Sequence, residues 1–332
     1  NLDNLLSRFI EIYTPSYMRV FIARSDPALN YGLLSATLMA KIALSKICRI
    51  NKNFNIPLYP IIGAGCLPFR GHNNPRNFEK FASEYRGVTT VTIQSAFRYD
   101  YPENEVINAV EWYNSNLGRY EASILDKHEE DIMLSSIILG KLSPAYRESV
   151  EKTVDVVNML SRRIPARRAR RLHIGLFGYS RRLGGKNLPR AIPFTAVFYS
   201  LGMPPEFIGL RALEQLSEEE YSLLREYYRS LVHDLSEAGK YIAWDNLNIL
   251  AEKPPEVNEV FGEEFLQGFI PKYLEDLETA SSMLGIKLGP RNVTERRYEN
   301  EVNNLLISLI EGEVESIKRE LENAALMRRS IG

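Results

Sequence analysis

Four short apolar and β-branched runs constrain this chain most: YMRVFIA at 17–23, LYPIIGA at 58–64, VTTVTIQ at 88–94 and LHIGLFG at 172–178. Each has strand length and stops at a polar or glycine-containing loop, the pattern of strands buried in a parallel sheet. Helical pattern separates them. Residues 32–50 repeat apolar side chains at helical spacing, and 75–87 open on Pro75 and stop at Gly87. Residues 103–163 form a long, mostly helical insertion before the fourth run. Strand alternating with helix predicts a parallel α/β sheet.

Beyond about residue 189 the strand signal fades. Segments 217–252, 264–284 and 295–329 have the pattern of long amphipathic helices, punctuated at 252–256 and 284–290 by proline and glycine. The chain is therefore expected to divide into 1–190, which carries the βα units, and 191–332, an all-helical region packed on them. Four βα units do not close an eight-stranded barrel, which takes about 250 residues. Either the sheet is open, or this is the C-terminal half of a (β/α)8 barrel of TIM type. The start at Asn1, without methionine, favours the second and predicts further units upstream.

Composition narrows the function classes. The 332 residues are 45% hydrophobic and 25% charged, with a formal net charge of −1. That balance argues against wholesale nucleic-acid binding. The arginine run RRIPARRARR (162–171) lacks interleaved aromatics and leads straight into a strand, so it reads as a solvated approach; a non-catalytic binding module built on it is the alternative. No apolar run approaches the ~20 residues of a membrane helix. Cys48 and Cys66 form neither a disulfide framework nor a CxxC pair, which points to a reducing, cytoplasmic setting. His128, His173 and His233 lack metal-ligand spacing.

Ligands bind at the C-terminal ends of strands in parallel sheets. Those ends collect Arg24, Asp26, Arg70, His72, Gln94, Arg98, Asp100, Arg181, Arg182, Lys186 and Arg190. Mostly arginine with a carboxylate, the set suits a small, multiply anionic substrate and a divalent metal. Each residue also has a plainer reading. Asp26 before Pro27 fits a turn or helix N-cap, Arg70 a solvated loop arginine, His72 a loop hydrogen-bonder, and Arg98 a partner of Asp100. GAGCLPFRGH (63–72) is neither a Walker A loop nor a dinucleotide fingerprint.

Taken together, LPFRGH (67–72) and EYRGVTTVTIQSAFRYDY (84–101) resemble the short archaeal-type branch of the phosphoenolpyruvate carboxylase family. RSDPALNYG (24–32), GYSRR (178–182), LPRAIPF (188–194) and the C-terminal MRRSIG (327–332) are similar to motifs of that family in the same order. The resemblance implies carboxylation of phosphoenolpyruvate with bicarbonate to oxaloacetate and phosphate, through carboxyphosphate and an enolate held by Mg²⁺ or Mn²⁺. It makes Asp26 a metal ligand and Arg70 and Arg190 catalytic. Arg181, Arg98, Gln94, Gly65 and Gly71 become substrate-binding, with the two glycines letting the loop approach and close. It also implies a homotetramer and a tail tucked toward the site. Departures are Ala64, where larger relatives carry a second arginine that Arg98 would replace, and Ser330, where many have asparagine. The catalytic histidine and a glutamate metal ligand of the family would lie upstream; His72 does not substitute for them. A rival is another phosphate-substrate barrel enzyme, an aldolase or mutase, for which Lys186 would be the Schiff-base lysine.

Overall fold

The computed structural model describes residues 2–165, 182–183 and 186–331. Three of the four runs form strands, β1 (Met18–Ala23), β2 (Leu58–Gly63) and β3 (Thr90–Val91), in one parallel sheet of order β1–β2–β3. Met18 lies opposite Leu58, Ala23 opposite Gly63, and Ile61 opposite Thr90. The crossover from β1 to β2 runs through two helices, α2 (Ser25–Tyr31) and α3 (Leu33–Phe54). All three strands therefore deliver their C-terminal ends to one edge.

The expected half barrel does not form. Among the described residues the chain is mostly helical, and its parallel sheet has three strands, the third only two residues long. The one other pairing is a short antiparallel ladder of Arg182–Leu183 with Lys186–Asn187. The fourth run, 172–178, lies outside the described residues. Burial explains part of the difference. Ile22, Leu58 and Ile62 are buried, whereas Arg19, Phe21 and Tyr59 are exposed, so the strands alternate rather than being covered on both faces. The covered face packs against Leu44, Ile47 and Ile50 of α3 and against Leu6 and Ile10 of the N-terminal helix Leu2–Tyr13. The third run stops early because the chain turns at Gln94, the N-cap of helix Ser95–Tyr99.

A larger core joins α2 and α3 to the insertion through Met133, Ile137 and Tyr146, and to the C-terminal helices through Phe194, Leu235 and Phe269. The insertion is helical, as is the last third. Two stretches, Ile132–Leu142 and Glu264–Phe269, widen to π-helix. Each precedes a proline held within continuing helix, Pro144 or Pro271. Proline lacks an N–H and crowds the carbonyl four residues back, and a wider turn relieves both. Among the described residues no helix is long and apolar enough to cross a membrane.

Candidate anion site at the strand ends

The loop that follows β2 is folded and buried rather than open. Pro68–Arg70 form one 3-10 turn. Around it, the Gly65 N–H donates to the Arg70 carbonyl at 2.8 Å and the Asn73 N–H to the Gly65 carbonyl at 2.8 Å. The Arg70 side chain is itself buried, at 3% exposure. Its Nε donates to Ser25 Oγ at 2.9 Å and its Nη2 to Gln94 Oε1 at 2.5 Å. Ser25 opens α2 just after β1, and Gln94 follows β3. The guanidinium thus ties the ends of all three strands together, with its planar fork held by Ser25 and Gln94.

The two glycines serve close packing here. A Cβ on Gly65 would lie 2.7 Å from Arg70 Cζ, so the guanidinium rests against a surface only glycine provides. Gly71 has φ +114°, and its Cβ would meet Ala64 Cβ and Arg24 Cγ, each at 2.8 Å. Gly65→Ala is expected to leave the fold intact and shift the guanidinium off Ser25 and Gln94. Calorimetric titration with sulfate should then show affinity weakened by about tenfold, the loss of roughly one charge-assisted hydrogen bond.

Arg24, although at a strand end, is a strut. It is fully buried and donates to the Tyr85 hydroxyl at 2.7 Å, Thr37 Oγ1 at 2.8 Å, the Phe69 carbonyl at 3.2 Å and the Leu33 carbonyl at 3.4 Å. His72 adopts φ +63°, and its Nδ1 meets Asp234 Oδ1 at 2.6 Å. Its ring stacks on His233 with centroids 5.3 Å apart. His72, His233 and Asp234 bring donor atoms within 4.8 Å of one another. Asp234 Oδ2 also accepts from the Tyr228 hydroxyl at 2.7 Å, and His233 Nε2 meets Asn77 Oδ1 at 3.0 Å. The group is a hydrogen-bonded brace between the loop and helix Leu231–Gly239.

An arginine fork is suited in general to phosphoryl and carboxylate groups, and comparison with known proteins shows the family. The family model described as phosphoenolpyruvate carboxylase matches residues 1–332. The chain belongs to the phosphoenolpyruvate carboxylase family. It is 40% identical over 333 residues to the phosphoenolpyruvate carboxylase of Metallosphaera sedula, covering 100% of this chain and 63% of that protein. Against the protein of the same name from Caldivirga maquilingensis the identity is 40% over 331 residues, covering 100% and 63%. For that of Picrophilus torridus it is 36% over 339 residues, covering 100% and 62%. The chain therefore spans less than two thirds of the length of these relatives.

Of the positions that the phosphoenolpyruvate carboxylase motifs single out, the structure brings together Arg70, Gln94, Gly65 and Gly71. Asp26 is half-buried in the first turn of α2, next to Ser25, and its carboxylate has no hydrogen-bond or ion-pair partner among the described residues. It is not the N-cap, a position that Arg24 occupies. Arg190 is the half-buried N-cap of helix Ala191–Ser200. One turn on, Phe194 stacks on Phe69 at 5.7 Å, which sets that helix start against the Arg70 turn. Arg98 is exposed and lies over its neighbour Tyr99, 5.0 Å from the ring centroid. Asp100 accepts the Ile331 N–H at 2.9 Å, so the C-terminal tail does reach the segment that follows β3. Arg181, the side chain of Lys186 and residues 166–171 of the arginine run lie outside the described residues.

Three contributors escaped the sequence reading: Ser25, Glu206 and Asp234. Asp234 falls on the apolar stripe of its helix, beside the buried Leu231, Leu235 and Ala238. Glu206 is the one charge in the apolar stretch 201–210. A lone acid on a buried stripe was the available signal for both.

Proposed function

We propose that this chain carries the phosphate-handling part of an enzyme that carboxylates phosphoenolpyruvate with bicarbonate, a carbon–carbon lyase forming oxaloacetate and phosphate. The observation that carries the reading is Arg70: a buried guanidinium, fixed between the ends of β1 and β3, in a chain of this family. Bicarbonate attack on phosphorus breaks the bond from phosphorus to the enol oxygen and leaves carboxyphosphate and the enolate of pyruvate. Carboxyphosphate then divides into CO₂ and phosphate, and the enolate carbon takes up the CO₂. Negative charge grows on oxygen at each step, and a pre-positioned arginine stabilises it without reorganising.

Arg70 holds the phosphoryl group in this reading, and Arg190 approaches it from the start of helix Ala191–Ser200, where the helix dipole adds favourable charge. Gln94 keeps the guanidinium in plane. The carboxylate of Asp26, unpaired among the described residues, fits the way Mg²⁺ or Mn²⁺ is usually held, through one or two carboxylates and substrate oxygens. When bound, the ion supplies charge for the developing oxyanion. Asp26→Asn in the full-length polypeptide should raise the Mg²⁺ concentration for half-maximal rate by about tenfold, since the substitution removes one charged ligand. An unchanged metal dependence would remove Asp26 from that role.

Oxygen labelling tests the reaction course. With ¹⁸O in bicarbonate, the proposed attack delivers one labelled oxygen into each phosphate released. Oxaloacetate formed with unlabelled phosphate would rule out bicarbonate as the group that attacks phosphorus.

A further inference from the structure

Glu206 lies far from Arg70 in sequence and beside it in space. It sits in the short turn Pro205–Phe207 of the helical region and is 1% exposed. Its Oε1 accepts two hydrogen bonds, from the Phe69 N–H at 2.7 Å and from the Tyr199 hydroxyl at 2.6 Å. Phe69 is the residue before Arg70 in the 3-10 turn. Two residues past Phe69's neighbour, His72 is held by Asp234. The arginine is therefore flanked on both sides by residues gripped by buried carboxylates of the C-terminal helices. Glu206 differs from Asp234 in one respect. Its Oε2 has no hydrogen-bond partner among the described residues, and the carboxyl borders a cavity of about 10 Å³, roughly the room one water needs.

We infer that Glu206 is a positioning residue for Arg70: its carboxylate holds the Phe69 amide, fixing the turn that aims the guanidinium. The inference rests on the reading of the Arg70 loop as an anion site. A fully buried carboxylate with one idle oxygen is an expensive way to hold a single amide and a hydroxyl. Burial pushes the Glu206 carboxyl up to about 7. Its ionisation thus occurs in the neutral range and disfavours the fold, because an acid with a raised pKa loses stability for the native state as pH climbs from its unfolded value toward the folded one. A carboxylate accepts more strongly than a neutral acyl oxygen, so the same ionisation tightens the grip on Phe69. Stability and loop order are set against each other at this residue.

The surrounding groups are identifiable. Tyr199 donates to Glu206 from helix Ala191–Ser200, His72 of the loop lies within electrostatic reach, and the Arg70 turn and helix Leu231–Gly239 pack on the turn Pro205–Phe207. Helix Ile270–Leu284 packs on the same turn and contributes Tyr273 and Asp276, while Tyr31 and Tyr146 line the cavity. Burial pushes Tyr199, Tyr146 and Tyr273 far above neutrality and raises Asp276 to about 6. The three tyrosines keep their protons at both pH 6 and pH 8, so they add nothing to a difference between those two conditions.

The test compares the 332-residue chain with its Glu206→Gln variant at pH 6 and pH 8. Three readouts are taken: amide hydrogen-exchange protection of the peptide spanning 65–74, affinity for sulfate by calorimetry, and the thermal midpoint. Sulfate is chosen because it does not itself titrate in this range. Glutamine is neutral, like protonated Glu206, so the two proteins should agree at pH 6. At pH 8 the variant should show lower loop protection and about five- to tenfold weaker sulfate binding, with a thermal midpoint equal to or above the wild type. A variant matching the wild type in protection and affinity at both pH values overturns the inference. So does a joint fall of protection, affinity and midpoint, which would make Glu206 a packing residue. If the wild type takes up no sulfate while loop protection still diverges at pH 8, the anion-site reading fails and the positioning role stands.

Discussion

Arg70→Ala in the full-length polypeptide should lower kcat/KM for phosphoenolpyruvate by ~10²-fold or more, the usual cost of removing one preorganised oxyanion-stabilising donor. The expectation comes from where the side chain is held. Ser25 and Gln94 fix the guanidinium plane, and Gly65 lies directly beneath it, so no other side chain of the loop can move into the same place. Arg70→Lys should recover little of the loss, because an ammonium cannot make the two in-plane contacts at once. Steady-state kinetics with the thermal midpoint measured alongside separates this from unfolding: the rate should collapse while the midpoint moves by a few degrees at most. A variant that retains more than about a tenth of the wild-type kcat/KM would remove Arg70 from the chemistry.

Arg24→Met should give the largest stability change. Four acceptors take hydrogen bonds from that one buried side chain, two of them backbone carbonyls, of which that of Leu33 also accepts from Thr37 Oγ1 at 3.0 Å. Hydrogen bonds from a charged donor contribute about 1.5–3 kcal/mol each, and stranded acceptors add a desolvation cost. Methionine recovers part of the packing, so a net loss on the order of 3 kcal/mol is expected. For a chain of 332 residues that corresponds to a fall of roughly 4 °C in the thermal midpoint. Circular dichroism melts of the two proteins check it. A change below about 1 kcal/mol would mean that the acceptors find other partners.

The contrast between Arg24 and Arg70 shows how far the sequence could be read. Both are arginines at strand ends, and nothing in the local pattern separates the saturated strut from the anion holder. The distinction depends on Tyr85, Thr37 and Gln94, which arrive from other elements. The ends of β1 and β2 were legible, since both strands follow their apolar runs to a polar or glycine-containing loop, whereas β3 takes up only Thr90–Val91 of the run 88–94. The number and environment of the strands were not. An apolar run looks the same whether one face or both are covered, and Phe21 and Tyr59 proved exposed. The helical insertion and the helical last third were legible because amphipathic period is a local property. The brace of Glu206 and Asp234 was hidden because a contact spanning 137 residues, such as that of Phe69 with Glu206, leaves no trace in local spacing.

The most direct test of the account is oxaloacetate formation by the full-length polypeptide from phosphoenolpyruvate, bicarbonate and Mg²⁺, read through coupled malate dehydrogenase. Product should require all three and disappear when bicarbonate or the metal is withheld. A folded, metal-loaded protein that binds phosphoenolpyruvate and forms no oxaloacetate would contradict it, leaving the Arg70 site to serve a different reaction.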